Sequence, residues 1–174
     1  MSMRRRAWLA AALAGLTSLA ALTVADAQTA TEPPALRVDV GEGRVTNWTL
    51  AQLRALPAET ARAVTRDGGA FEARGVSVST LLKLAGLDLN ANLGSATVVG
   101  RALVARATDG YVAVFGLAEV DPHFGHAPLL VVWTTDDGAP LREGRGPGAL
   151  VVTGEVHPGR WVRQLISLEV RDLR

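Results

Sequence analysis

Three groups of side chains in this 174-residue chain have types and spacings that could do chemistry. The first is basic: Arg145, Arg160 and Arg163 carry planar guanidinium forks that match phosphate or carboxylate geometry. Arginines merely flanking a packed Trp161 would give the same pattern, because lone arginines are usually solvated. Around Arg145, the glycines at 144, 146 and 148 could turn backbone N–H groups toward an anion. That run lacks the Lys-Ser/Thr pair and strand-to-helix setting of a P-loop, and Gly/Pro clusters are first of all loops. The second group is imidazole. His123 and His126 lie three apart, with Asp121 or His157 as the third ligand that zinc or copper would need. Pro122 and Gly125 place them in a loop that need not bring the rings together, so no metal site is expected. The third group is hydroxyl and carboxylate. There is no Gly-x-Ser-x-Gly elbow, Ser77 and Ser79 stand where a helix start needs capping oxygens, and Glu72, Glu119 and Glu155 are isolated in sequence. No catalytic constellation emerges.

Cysteine is absent from the whole sequence, which removes both disulfides and thiolate metal ligands. Any fold must therefore be held by its core. At the N-terminus, Arg4, Arg5 and Arg6 precede an Ala/Leu-rich run over residues 7–24, followed by Ala25-Asp26-Ala27. This is the arrangement of a cleaved secretion signal, with cutting expected after Ala27. A retained anchor is the competing reading, but the run is diluted by Gly15, Thr17, Ser18 and Thr23. Arg5-Arg6-Ala7-Trp8-Leu9 fits a twin-arginine signal as well as an ordinary one, so the route stays open. The expected destination is the periplasm or the exterior, with no membrane attachment after cleavage. Cleavage removes three of 18 basic and one of 17 acidic residues, which leaves a mature net charge of −1. With its arginines scattered and its aromatics few, the remainder has no basic stripe for nucleic acid.

Residues 28–35 lack an apolar period and read as a flexible leader, so the domain is expected over residues 36–174. Alternation over 36–40 and 44–48 around Gly41-Glu42-Gly43 predicts a hairpin. Thr49 and Gln52 have capping-box spacing ahead of Leu50, Leu53 and Leu56, and Pro57 stops that short helix. A second hairpin is expected over 60–66 and 70–74 around Asp67-Gly68-Gly69. A second helix over 77–85 is closed by Gly86. Strands are expected at 96–99, 102–108, 111–115, 129–134, 149–153 and 164–170, with a helical turn at 117–120 and a reversal at Asp136-Asp137-Gly138. The class is α+β, mixed or antiparallel, because two short helices are too few to cover a doubly wound parallel sheet.

Four segments carry a family resemblance. They are residues 50–57; residues 74–86, including Gly75-Val76 and Leu81-Leu82; Ala107-Thr108-Asp109-Gly110-Tyr111; and Asp137-Gly138-Ala139-Pro140-Leu141 followed by Gly146-Pro147. In this order, over nearly all of the mature chain, they resemble the sulfite oxidase-like molybdopterin-binding domain. The resemblance implies a mixed α+β fold and a pocket that holds molybdopterin. It also implies a cysteine between the first helix and the Gly-Val-x-x-x-x-Leu-Leu helix as the molybdenum ligand. Here that interval, residues 58–74, offers only the hard oxygens of Thr60, Thr65 and Asp67. The family's His-Gly-x-Pro-x-Arg segment also departs: Gly144 and Ala149 hold the His and Arg positions, Pro147 is kept, and Arg145 lies one residue from the lost histidine. Arg163 resembles the basic residue that precedes the family's last strand and faces the cofactor.

The function expected first is a non-catalytic member of this fold whose old pocket, with Arg145, Arg163, Asp109, Tyr111 and Arg160, binds a small anion or a periplasmic protein. On that reading no cofactor is expected. The second is a molybdopterin-dependent oxidoreductase or subunit that holds the pterin without a cysteine, a reading a twin-arginine signal would favour. The third is an envelope protein binding metal through His123 and His126.

Overall fold

The computed structural model describes residues 32–89, 96–124, 128–133 and 148–173. Strands β1 (Leu36–Asp39) and β2 (Val45–Trp48) form the first hairpin, paired from Leu36 with Trp48 to Asp39 with Val45. Helix α1 (Leu50–Ala55) begins with the expected reciprocal cap: Gln52 N–H donates to Thr49 Oγ1 at 3.2 Å and Thr49 N–H to Gln52 Oε1 at 2.9 Å. Two otherwise orphaned donors are thereby satisfied. Strands β3 (Glu59–Val64) and β4 (Ala70–Ser77) form the second hairpin, with Gly68 in its turn at φ 83°. Helix α2 (Val78–Leu84) ends through Gly86 at φ 96°, where Leu87 N–H bonds Leu82 O. The remaining elements are α3 (Ala96–Val99), β5 (Arg101–Ala107), β6 (Val112–Gly116), α4 (Leu117–Val120), β7 (Leu129–Val132), β8 (Ala149–Val152) and β9 (Leu165–Asp172).

Three expectations are corrected. Residues 96–99 form a turn of helix rather than a strand. The turn buries Val98 in the main core, so β-branched propensity yields to packing. With the expected turn at 117–120 present as α4, the described residues hold four short α-helices, one more than the two helices and the turn expected. Ser77 is the N-cap residue of α2 by backbone conformation, yet its hydroxyl donates to Thr80 Oγ1 at 2.9 Å and caps no N–H. The reversal expected at 136–138 and the glycine loop at 142–147 lie outside the described residues.

The strands make two sheets, ordered β2-β1-β9-β5-β6 and β3-β4-β7-β8. Among the described residues only the β1–β9 pair is parallel, so the class is α+β with a mixed larger sheet. Alternate residues of β1, β5, β6 and β9, among them Val38, Leu103, Phe115 and Leu168, meet Leu81, Leu82 and Leu117 in the main core. Strands β7 and β8 are buried along their whole length, which explains their unbroken apolar runs. At Gly75, a Cβ would stand 2.2 Å from the carbonyl oxygen of Val131, so β4 can approach β7 only without a side chain there.

The opposite face of the larger sheet carries a charge network. Glu169 accepts from Arg171 Nη2 at 2.6 Å and from Ser167 Oγ at 3.2 Å, with Arg106 Nε at 3.6 Å and Arg37 Nη1 at 3.9 Å. Burial raises the Glu169 carboxyl, but the Arg171 hydrogen bond and charge, Ser167 and Arg106 more than reverse this and hold it below 4.5. Its contribution to stability is thus fully present above pH 4.5 and is lost as pH falls through the depressed folded-state value.

Two outcomes follow. Gly75→Ala should lower the urea or thermal midpoint by the equivalent of about 1–3 kcal/mol, the usual cost of overpacking; an unchanged midpoint contradicts the close approach. Glu169→Gln should cost about 1–2 kcal/mol at neutral pH, as expected for charge-assisted hydrogen bonds. The same variant should flatten the acid limb of a stability-versus-pH curve below pH 4.5, where the wild-type protein steepens.

Candidate functional site

Three turns meet at the end of the larger sheet around a cleft of about 640 Å³. The β3–β4 turn brings Thr65, Arg66 and Asp67; the β5–β6 turn brings Asp109 and Tyr111; and residues 157–163, ahead of β9, bring His157, Pro158, Gly159, Trp161 and Arg163. Trp161 fastens the third wall: its Nε1–H donates to Val152 O at 3.1 Å, and its ring meets Phe71 edge-on at 5.8 Å. The Tyr111 hydroxyl donates to Gly159 O at 2.6 Å and joins the second wall to the third.

The acids and bases of this cleft are in different states of engagement. Asp67 is tied into its own turn. The hydrogen bond from the Thr65 hydroxyl, followed by those from the N–H groups of Asp67 and Gly69, holds its carboxyl below the ordinary aspartate value. Asp109 Oδ1 accepts from Tyr111 N–H at 2.9 Å. Arg66 and Arg163 are exposed and make no ion pair with either acid, or with any other carboxylate among the described residues. Two cationic forks and an exposed imidazole therefore face a space large enough for a small molecule. The arrangement suits capture of an anionic group, with Tyr111, Pro158 and Trp161 as the apolar part of the walls.

Of the residues singled out in the sequence, Arg163, Asp109 and Tyr111 share this cleft. Arg145 and His126 lie outside the described residues. Arg160 does not line the cleft. Its Nε donates to Glu155 Oε1 at 2.8 Å and its Nη1 to Glu119 Oε2 at 3.1 Å, while its guanidinium carbon stands 4.7 Å from the centre of the Phe115 ring. It thus braces a separate recess of about 130 Å³. His123 is held elsewhere, with Nδ1 at 2.9 Å from Oδ1 of the fully buried Asp121. Among the described residues, no three His, Asp or Glu side chains assemble as a metal site. Sequence reasoning missed Arg66, whose only signal was its place beside the Asp67-Gly68-Gly69 turn. It also considered His157 only as a metal ligand.

No protein-family model and no curated protein matches this chain. Among solved structures, it is similar to the sulfane dehydrogenase SoxCD from Paracoccus pantotrophus, at 20% identity and a TM-score of 0.58. The match covers 79% of this chain and 38% of that one, so the chain spans well under half of the matched protein's chain. At that identity the likeness is one of fold.

The residues present fit a molybdopterin only in part. Arg66, Arg163 and His157 suit an anionic group such as the pterin's phosphate. A thiolate-ligated molybdenum does not fit: the chain has no cysteine, and the oxygens that the β3–β4 turn brings to the cleft, Thr65 Oγ1 and Asp67 Oδ1, are hydrogen-bonded to each other. Thr60, the other oxygen donor of that interval, is exposed on β3 and does not line the cleft.

Proposed function

We propose that this chain is an exported, non-catalytic relative of the molybdopterin-binding fold whose sheet-end cleft captures the phosphate or carboxylate of a small molecule. The observation that carries the reading is the pair Arg66 and Arg163, two guanidiniums without carboxylate partners among the described residues, brought by different segments to one cleft with His157. Local turn hydrogen bonds to Asp67 and Asp109 support it, because the acids that line the cleft are already engaged. The cleft volume, about 640 Å³, is that of an organic ligand rather than a bare ion. Export rests on the Arg4–Arg6 cluster, the apolar run and Ala25-Asp26-Ala27.

A second reading is that the ligand is a pterin held without a protein thiolate. The fold likeness and the shared placement of Arg163, Asp109 and Tyr111 favour it. On either reading, the chain's own contribution is to bind and orient an anion, and no residue described here is assigned a bond-making step.

Calorimetric titration with inorganic pyrophosphate at low ionic strength should give saturable binding that weakens as salt is added. Arg163→Ala should weaken it roughly 10- to 100-fold, the worth of a charge-assisted contact. Arg160→Ala should leave the affinity unchanged and lower the thermal midpoint, because that side chain braces Glu119 and Glu155 instead. Equal affinities in wild type and Arg163→Ala overturn the cleft assignment. Intact mass of the protein recovered from the envelope fraction should correspond to a chain beginning at Gln28; a full-length mass contradicts cleavage.

A further inference from the structure

Arg163 sits in a two-residue excursion between two firmly held neighbours. Val162 is fully buried and exchanges both backbone hydrogen bonds with Leu150, at 2.8 and 3.0 Å. Leu165 is 1% exposed and donates to Gly148 O at 2.9 Å. Between them the chain must leave the protein and return within Arg163 and Gln164. It does so by placing Gln164 at φ 51°, a left-handed conformation that a residue with a Cβ adopts only under strain. Glu42, in the Gly41–Gly43 turn, is the other non-glycine described with positive φ.

The strained residue is held from outside its own strand. Thr108, on the β5–β6 turn, donates its N–H to Gln164 O at 3.1 Å and its hydroxyl to Gln164 Oε1. These two contacts follow the Ala107–Leu165 pair, just past the point where the ladder between β5 and β9 slips register between Arg106 and Ala107. The same turn holds the far end of the segment through the bond from Tyr111 to Gly159. One turn therefore grips the Arg163-bearing segment at two points, 159 and 164, on either side of the arginine.

We propose that Thr108 and Gln164 are positioning residues: their clamp, closed over a strained backbone, presets Arg163 toward the cleft so that less freedom is lost when an anion binds. The inference rests on the cleft reading above and extends it to residues that do not line the cleft. Strain at Gln164 is what the clamp maintains. Relaxing it frees the arginine to follow a flexible loop, and an unfixed side chain captures an anion less tightly because it must be ordered at that moment.

The test uses the whole mature chain and four variants: Thr108→Val, Thr108→Ser, Gln164→Gly and Arg163→Ala. Pyrophosphate affinity should fall about 3- to 10-fold in Thr108→Val and Gln164→Gly, the cost of ordering one or two side chains. Thr108→Ser, which keeps the hydroxyl, should restore it. Nitrogen-15 relaxation of the ligand-free proteins supplies a readout that global stability does not move. Order parameters for the Arg163 amide and Nε should drop in Thr108→Val and Gln164→Gly and stay at the wild-type value in Thr108→Ser. Wild-type affinity and wild-type order parameters in Thr108→Val and Gln164→Gly overturn the clamp while leaving the cleft reading standing. Failure of the wild-type protein to bind pyrophosphate overturns the cleft reading and the clamp's purpose with it.

Discussion

Strand β9 is the element that the larger sheet is built around. It lies inside the five-stranded sheet, parallel to β1 on one edge and antiparallel to β5 on the other, and its backbone donors and acceptors are committed on both sides. Its inward residues Leu165, Leu168 and Val170 belong to the main core, while Glu169 gathers the arginines of the opposite face. Once β9 is fixed, the chain ahead of it must cross the ends of β5 and β6. That crossing builds one wall of the cleft, and Arg163 lies on it because it is the second residue before the strand begins.

The charges of the two faces behave differently because their partners do. On the sheet face, Glu169 is ringed by Arg171, Arg106 and Arg37, so acid and base offset each other and the network serves the fold. At the cleft, the acids are bound into their own turns, and Arg66 and Arg163 are left with solvent alone among the described residues. A guanidinium in that condition loses little by exchanging water for a phosphate or carboxylate. Arg160 shows the contrast within a few residues of Arg163: two carboxylates and the Phe115 ring already satisfy it.

Where structure is local, the sequence announces it. The reciprocal cap of Thr49 and Gln52, the turn at Gly68 and the helix end at Gly86 need only neighbours a few residues away, and all three form as expected. The runs of β7 and β8 are legible because burial on both faces leaves no polar alternation. What fails depends on distant partners. Residues 96–99 look like a strand, yet they form a helical turn that buries Val98 in a core assembled from distant elements. Arg160 looks like Arg163 until Glu119, 41 residues away, is found beside it. Arg66 reads as a turn residue because its place in one cleft with Arg163 depends on two hairpins and a crossing that no local pattern encodes. The resemblance pointed to a pocket with Arg145, Arg163, Asp109, Tyr111 and Arg160; Arg163, Asp109 and Tyr111 line one cleft, Arg160 does not, and Arg145 lies outside the described residues.

Sulfur is the dividing line between an anion-capturing cleft and a redox centre on this fold, since hard oxygens that already bond each other are poor substitutes for a thiolate. The most direct measurement is the molybdenum content of the protein, purified from a host that makes the pterin cofactor and analysed by plasma mass spectrometry. The account predicts molybdenum far below one atom per chain. Stoichiometric molybdenum that survives gel filtration and changes its electron paramagnetic resonance signal on reduction would contradict it.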